Sequence, residues 1–193
     1  EIKIIQDKNL QSKHNSGYYK DTIKIKNKSI YISKINLNRE HGAIVSPFVP
    51  TIRIATPVYD KNNKVFGMII INININTLFD FENLDKNTSF ETYIANSDGY
   101  YLYHENLDKT FGFEFGRKIL MQNDFKIKSY LDQNNNTYSY FDDSYSSAIA
   151  VKKIPFSKTR FIYILLNRRR HKMKRHHCRS IVILGVDNTG KTS

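Results

Sequence analysis

The sequence predicts an α+β chain of two consecutive units, each an antiparallel sheet with flanking helices, followed by a basic tail. Three observations predict it. Short segments of alternating polar and apolar residues recur after compact polar turns, which is the period of half-buried strands. Aromatic residues reach 13%, with 12 Phe and 13 Tyr, enough for a packed core in a chain whose mean hydropathy is −0.52. Strands and helices do not alternate in the way that builds a parallel, doubly wound sheet.

The elements follow in order. Thr22 to Lys26 alternates polar and apolar residues, and Ser29 to Ile35 does so again. Thr51 to Val58 is a third strand, with Pro50 before it and Pro57 near its end, where a missing N–H is tolerated. Asp60 to Asn63 makes a polar turn, and Lys64 to Asn76 returns as a long strand. Its end places Ile71, Ile73 and Ile75 on one face and Asn72, Asn74 and Asn76 on the other, so the isoleucine face is expected against a core. Thr77 to Leu84 reads as a short helix and Asp85 to Ser89 as a polar linker. Phe90 to Ala95 and Tyr100 to His104 then form a hairpin about Asn96-Ser97-Asp98-Gly99, with Asp-Gly as its turn signal. Glu114 to Asn123 is expected to be a helix, and Thr137 to Phe141, Ala148 to Ile154 and Arg160 to Leu166 to be strands. These elements divide the chain into a first unit over residues 1–86, a second over 87–166 and a tail over 167–193.

Charge is unevenly distributed. Of the net +12, residues 1–166 carry +5 (22 basic against 17 acidic) and residues 167–193 carry +7 (eight against one). The basic run from Asn167 to Arg179 could hold nucleic-acid phosphates or an anionic membrane surface. It has no interleaved aromatics and no groove-reading motif, so a solvated, disordered tail is expected and nucleic acid is not an expected partner. His171, His176, His177 and Cys178 lie in the same run, but no second ligand pair accompanies them, and no metal or cofactor is expected. A single Cys excludes a disulfide scaffold. No window approaches the roughly 18 apolar residues of a membrane span. The chain opens on Glu1 with no secretory leader, so it reads as a piece of something longer.

Several blocks resemble one family, in its order and at sensible spacing. YISKINLNREHG (Tyr31 to Gly42), PFVPTIRIATPVYD (Pro47 to Asp60) and GMIIINI (Gly67 to Ile73) are similar to the membrane-distal module of a double Cache domain. YIANSDGYYLYHEN (Tyr93 to Asn106) and FGFEFG (Phe111 to Gly116) are similar to the opening of its membrane-proximal module. Double Cache domains are tandem PAS-like extracytoplasmic sensors of bacterial histidine kinases, chemoreceptors and diguanylate cyclases. The resemblance implies two PAS-like modules, the first incomplete at its N-terminus, and a non-enzymatic small-molecule sensor whose output domain lies outside this chain. It further implies attachment to the membrane only through flanking helices that this sequence does not contain, and a homodimeric full-length receptor.

The resemblance also points to a site. The family's distal module usually holds its ligand between the sheet and an overlying helix and loop. Arg53, within TIRIATPV, could clamp a carboxylate through its planar guanidinium. Tyr31 and Tyr59 could supply walls and hydroxyls, and Arg39 and His41 fall in the covering loop. A solvent-facing strand residue or a structural ion pair are the alternatives for Arg53. Amino-acid-binding members often carry an acidic residue where this chain has Asn72, which brings no countercharge for an ammonium. That leaves small carboxylates and other solutes open as ligands.

The last residues carry a second signal. Gly185 to Thr192, with Gly190, Lys191 and Thr192 closing it, matches the G-x-x-x-x-G-K-[ST] phosphate-cradling loop and resembles the start of a thymidylate-kinase-like P-loop protein. That loop works at the head of a helix against a parallel sheet, with a later acidic residue for Mg²⁺, and none of these follows here. The sequence therefore carries three readings: a ligand sensor first, then a fragment of a P-loop nucleoside-monophosphate kinase, then a nucleic-acid binder acting through its basic tail.

Overall fold

A computed structural model describes residue 4 and residues 6–26, 29–78, 90–125, 136–142, 147–155 and 161–168 of the 193. The expected linker over Asp85 to Ser89, the P-loop-like segment and the tail histidines with Cys178 lie outside the described residues.

The first sheet is built on the ten-residue strand β5 (Pro50–Tyr59). Its β-branched and small residues suit a pleated, buried position, and six of its ten residues are buried. Two short strands, β1 (Tyr31–Ile32) and β2 (Asn36–Leu37), share one edge of β5. β6 (Val65–Asn74) runs antiparallel along the other edge in a register that pairs Arg53 with Asn72 and Ile54 with Ile71. A small hairpin of β3 (Arg39–Glu40) and β4 (Ala43–Ile44) stands beside it. The second sheet has the order β8-β7-β11-β10-β9, all antiparallel. Its strands are β7 (Phe90–Asn96), β8 (Tyr101–Tyr103), β9 (Thr137–Asp142), β10 (Ser147–Pro155) and β11 (Phe161–Arg168).

The hairpin between β7 and β8 shows why its turn reads so clearly in the sequence. Asn96 Oδ1 accepts the N–H groups of Asp98 and Tyr100, each at 3.0 Å, and Gly99 takes φ +89°. At that φ an L side chain is strained, so the conformation calls for glycine, and a Cβ there would also displace the Gln122 side-chain amide, whose Oε1 would lie 2.1 Å away.

Three expectations need correction. Thr22 to Lys26 is not a strand: α1 (Gly17–Thr22) ends there, and Thr22 Oγ1 donates back to Tyr18 O at 2.6 Å. Both edges of β5 are already taken, and a five-residue alternation fits a helix end as well as a strand. Glu114 to Asn123 is not one helix. A 3₁₀ turn over Gly112–Phe115 stops at Gly116, whose φ is +73°; Leu120 then bridges to Tyr100 before the single turn α2 (Met121–Asp124). The described start of the expected Thr77 helix belongs to a 3₁₀ turn over Ile75–Thr77, and residues 79–84 lie outside the description. Beyond these, β11 continues through Asn167 and Arg168, so the basic segment begins inside the sheet.

Two apolar clusters hold the fold. One is internal to the second sheet: Tyr93, Ala95, Tyr101, Met121, Phe125, Ile149, Val151 and Leu165. The other draws on both sheets, joining Ile35, Leu37, Ile52 and Ile75 to Ile94, Leu102 and Phe111. On β7, Tyr93 and Ala95 serve the first cluster and Ile94 the second, the period-2 pattern of a strand buried on both faces. The isoleucines of β6 divide differently from the expected core face: Ile75 is buried, but Ile71 is 58% exposed and Ile69 59%. Among the described residues β6 is an edge strand, and that half of its apolar stripe has no facing layer.

A polar contact reinforces the shared cluster. Glu114, from the 3₁₀ turn of the second unit, accepts the backbone N–H of buried Leu37 at 2.9 Å and pairs with Arg39 Nη2 at 2.8 Å. In the second unit, His104 is 8% exposed between the rings of Tyr93 and Tyr101, each 4.8 Å away. Its Nδ1 accepts the N–H of Asn106 at 2.9 Å, so that nitrogen is unprotonated. Burial, and then the charge of Lys109, push the His104 pKa below its ordinary value, while Asp124 and Glu91 oppose the shift.

Two stability predictions follow from these contacts. Glu114→Ala should cost about 1–3 kcal/mol in urea denaturation, because it orphans the Leu37 N–H, and Arg39→Ala should cost at least as much, because it leaves the buried Glu114 carboxylate without its cation. No loss on Arg39→Ala would show that the backbone bond alone carries the contact. For His104, the folded state resists a proton that the unfolded chain accepts. Its stabilising contribution is therefore complete above the ordinary value of 6.5 and is lost progressively as pH falls below it. His104→Gln keeps an acceptor for Asn106 and should flatten that part of the stability–pH curve; an unchanged slope would assign it to other groups.

Candidate functional site

A cavity of about 670 Å³ opens on the first unit, between α1 with the loop before it, the β3–β4 hairpin and one face of the β5 sheet. Strand alternation sets that face. Tyr31 pairs with Ala55, so Tyr31 and Ser33 share a side with Arg53, and Asn72 joins them from the neighbouring strand. Tyr31, Arg39, His41, Arg53 and Asn72, all singled out in the sequence, line this one cavity. Tyr59 does not: it sits at the far end of β5, and its hydroxyl donates to Ile25 O at 2.6 Å.

Arg53 is only 7% exposed. Its backbone is clamped to Ser33 twice: Arg53 N–H donates to Ser33 Oγ and Ser33 N–H to Arg53 O, both at 2.8 Å. Its guanidinium lies 5.2 Å from the centroid of the Tyr18 ring and donates once, from Nη2 to Asn38 Oδ1 at 3.1 Å. These partners are neutral.

The other lining cations are already matched with carboxylates. Lys13 pairs with Glu40 at 3.2 Å, Arg39 with Glu114 at 2.8 Å, and Lys34 with Asp98. Among the described residues, Arg53 alone of the four lining Lys and Arg residues has no carboxylate partner. A buried guanidinium with neutral partners and unspent donors has the chemistry to receive an anion, and its planar fork fits a carboxylate.

The rim is built by polar cross-links. Gln11 Nε2 donates to Glu40 Oε2 at 2.6 Å, and Gln11 Oε1 accepts from Lys13 at 2.7 Å and from the His41 N–H at 2.9 Å. The Gln11 amide bond holds the Glu40 carboxyl below its ordinary range, helped by Lys13 and Asn38 and opposed by burial. The segment before α1 is thus tied to the β3–β4 tip, where His41 takes φ +50°. Asp21 adds a carboxylate to the lining and accepts the Tyr31 hydroxyl at 3.3 Å.

Sequence reasoning missed Tyr18, Asp21, Ser33, Asn38, Glu40 and Glu114. Ser33 was within reach, two residues from Tyr31 on the same strand face. Asp21 and Tyr18 are on α1, to which the sequence pattern assigns no element before Thr22, and Glu114 comes from 75 residues beyond Arg39; no local pattern announces such a partner.

Comparison with known proteins follows from this geometry. A domain of a sensory box/GGDEF family protein from Vibrio parahaemolyticus superposes with a TM-score of 0.68 at 22% identity, covering 82% of this chain and 60% of that one. The extracellular domain assigned to a histidine kinase, vpHK1S-Z8, gives 0.63 at 19%, covering 79% and 55%. The periplasmic sensory domain of the Campylobacter jejuni chemoreceptor Tlp1 gives 0.54 at 17%, covering 80% and 55%. The chain thus spans between 55% and 60% of the length of these three structures. They share the α+β sensor fold expected from the sequence, and the extracellular and periplasmic settings of the latter two agree with the expected one. No curated protein matches the chain. A family model, described as the sensor domain of bacterial histidine kinases, matches residues 2–144. With that match over most of its length, the chain belongs to the bacterial histidine kinase sensor-domain family.

Proposed function

We propose that this domain senses a small carboxylate-bearing solute outside the cytoplasm, binds it in the Arg53 cavity, and passes occupancy to an output module carried elsewhere in the receptor. The observation that carries the proposal is Arg53 itself. Removing a guanidinium from water is costly, and neither Asn38 nor the Tyr18 ring returns a full countercharge. A ligand carboxylate would supply one, with Asn38, Ser33 and Asn72 close by as polar neighbours. The cavity volume suits a metabolite-sized molecule. The chemistry of this site is recognition: its groups bind and orient, and signalling rests on the differential stability of the bound state. Residues 1–86 and 87–166 act in this reading as distal and proximal modules of a dimeric receptor anchored by flanking helices.

The test is a thermal-shift screen of the chain against small carboxylates, since a ligand that binds only the folded state raises the melting temperature. For a carboxylate that shifts it, Arg53→Ala should weaken binding by about 1.5–3 kcal/mol by calorimetry, the worth of a charge-assisted hydrogen bond. Arg53→Lys should recover little, because an ammonium cannot reproduce the planar fork. Full affinity in a folded Arg53→Ala protein would remove Arg53 from the site. Asp21→Asn separates two ligand classes: it should weaken carboxylates that also carry an ammonium and leave plain carboxylates unchanged. Equal weakening of both would mean that Asp21 acts through Tyr31 and not on the ligand.

A further inference from the structure

The molecule has a second cavity, of about 820 Å³, where the two sheets meet. Its walls are apolar: Leu37, Phe48 and Pro50 from the first unit, and Leu102, Phe111 and Phe115 from the second. Phe48 and Phe115 face each other across the junction with centroids 5.5 Å apart. Leu37 also borders the Arg53 cavity, so one side chain separates the two spaces.

One cation lines this apolar space. Arg117 follows the 3₁₀ turn, and its backbone N–H is fixed to Gly112 O at 2.9 Å. Its guanidinium lies 5.3 Å from the centroid of the Phe115 ring. The nearest carboxylate, Asp108, is 3.6 Å from Nη1, beyond hydrogen-bond range, and its side chain is 88% exposed. Nε is buried and has no partner. Among the described residues this half-buried guanidinium makes no hydrogen bond, although it carries five N–H donors. Buried donors are nearly always satisfied, so the buried Nε–H beside an aromatic wall calls for an acceptor. Phe111, in the same wall, is held at φ +51° with its N–H bonded to Tyr101 O at 2.9 Å; backbone in this region is costly for a bulky residue and concentrates at ligand sites.

We propose that the junction cavity is a second binding site, for a small apolar monocarboxylate with an aromatic or short aliphatic body, whose carboxylate is received by Arg117. The lining offers one guanidinium, which matches a single carboxylate rather than a dianion. Its one acid, Asp108, is solvated and turned toward Arg117, so an ammonium finds no buried partner there. The aromatic and leucine walls accept the apolar body. This site differs from the Arg53 cavity in chemistry as well as place, because most of the residues lining that cavity are polar.

The test uses the full chain with phenylacetate and hexanoate as probes and their neutral amides as controls, read by thermal shift and calorimetry. The carboxylates should raise the melting temperature and the amides should not. Arg117→Gln should lower the affinity about tenfold or more, the equivalent of one charge-assisted bond, while Lys118→Gln, at the exposed cation next in sequence, should leave it unchanged. Should Arg117→Gln fail to fold by circular dichroism, Phe48→Ala on the exposed wall gives the reading instead, with a several-fold loss expected. The proposal is overturned if neither carboxylate binds, if the amides bind as well, or if a folded Arg117→Gln or Phe48→Ala protein keeps full affinity. Loss of phenylacetate binding on Arg53→Gln alone would also overturn it and assign the probe to the Arg53 cavity.

Discussion

The carboxylate of Glu114 is the contact on which the arrangement of the two sheets turns. Its side chain is 7% exposed and meets two partners on the first unit, the Leu37 N–H and the Arg39 guanidinium. A buried carboxylate stripped of water is unfavourable unless both oxygens are matched, so this geometry tolerates little displacement. Dispersion and apolar burial in the shared cluster of Leu37, Ile52, Ile94, Leu102 and Phe111 supply adhesion without direction. The Glu114 bonds supply direction, fixing β2 and β3 against the second sheet to within hydrogen-bond tolerance. The walls of both cavities are consequences: Leu37 borders both, Arg39 and Glu114 border one, and Phe115 borders the other.

Charge pairing explains why two arginines stand apart. Lys13, Lys34 and Arg39 at the polar cavity are each neutralised by a carboxylate, and Lys109 is neutralised by Asp124 at 2.7 Å in the second unit. Arg53 and Arg117 are positioned just as firmly, by the Ser33 clamp and the bond to Gly112, yet their guanidiniums meet only neutral groups, rings or a solvated acid. For the buried Arg53, fixing a cation without a countercharge costs folding energy, and in the proposed function an arriving carboxylate would offset that cost.

Much of the sheet architecture was legible because it rests on local signals. Thr51 to Val58 and Lys64 to Asn76 are close to β5 and β6, and the Asp-Gly turn located the β7–β8 hairpin, since Gly99 takes a φ that calls for glycine. The three C-terminal strands were placed to within one or two residues at each end. Errors fall where a non-local contact overrode a local pattern. The apolar spacing of Glu114 to Asn123 is helical, but Gly116 and the Leu120–Tyr100 bridge break it. The alternation of Ile71, Ile73 and Ile75 reported a real strand, while burial was decided by which layers surround it. At the site, the family resemblance pointed to Tyr31, Arg53 and Asn72, and the strand register puts them on one face. Tyr59 satisfied the same residue-type argument but stands six residues along β5 from Arg53, roughly 20 Å at the rise of a strand, beyond the cavity. Tyr18, Asn38 and Glu114 are contributed by other elements, and only folding brings them together.

These contacts also form a continuous chain through the molecule. Arg53 holds Asn38; Asn38 lies between Leu37 and Arg39; both of these are held by Glu114, and Glu114 is followed by Phe115 at the junction. Each link is a hydrogen bond or a covalent neighbour, so a ligand that competes with Asn38 for the Arg53 guanidinium acts on a residue two bonds removed from the inter-sheet contact. Adjacency alone does not transmit a signal; an element must have two arrangements that the ligand distinguishes. The β2–β3 segment is lightly laddered. It is composed of two-residue strands, each paired to a single neighbour and joined through Asn38, whose N–H donates to Val49 O at 2.9 Å and whose carbonyl accepts the Val45 N–H at 3.0 Å. The ten-residue strands β5 and β6 share a far longer ladder. On the proposed function, the lightly laddered segment carrying Asn38 and Arg39, between the β5–β6 ladder that presents Arg53 and the second sheet, is the one on which a ligand bound at Arg53 would act through Asn38.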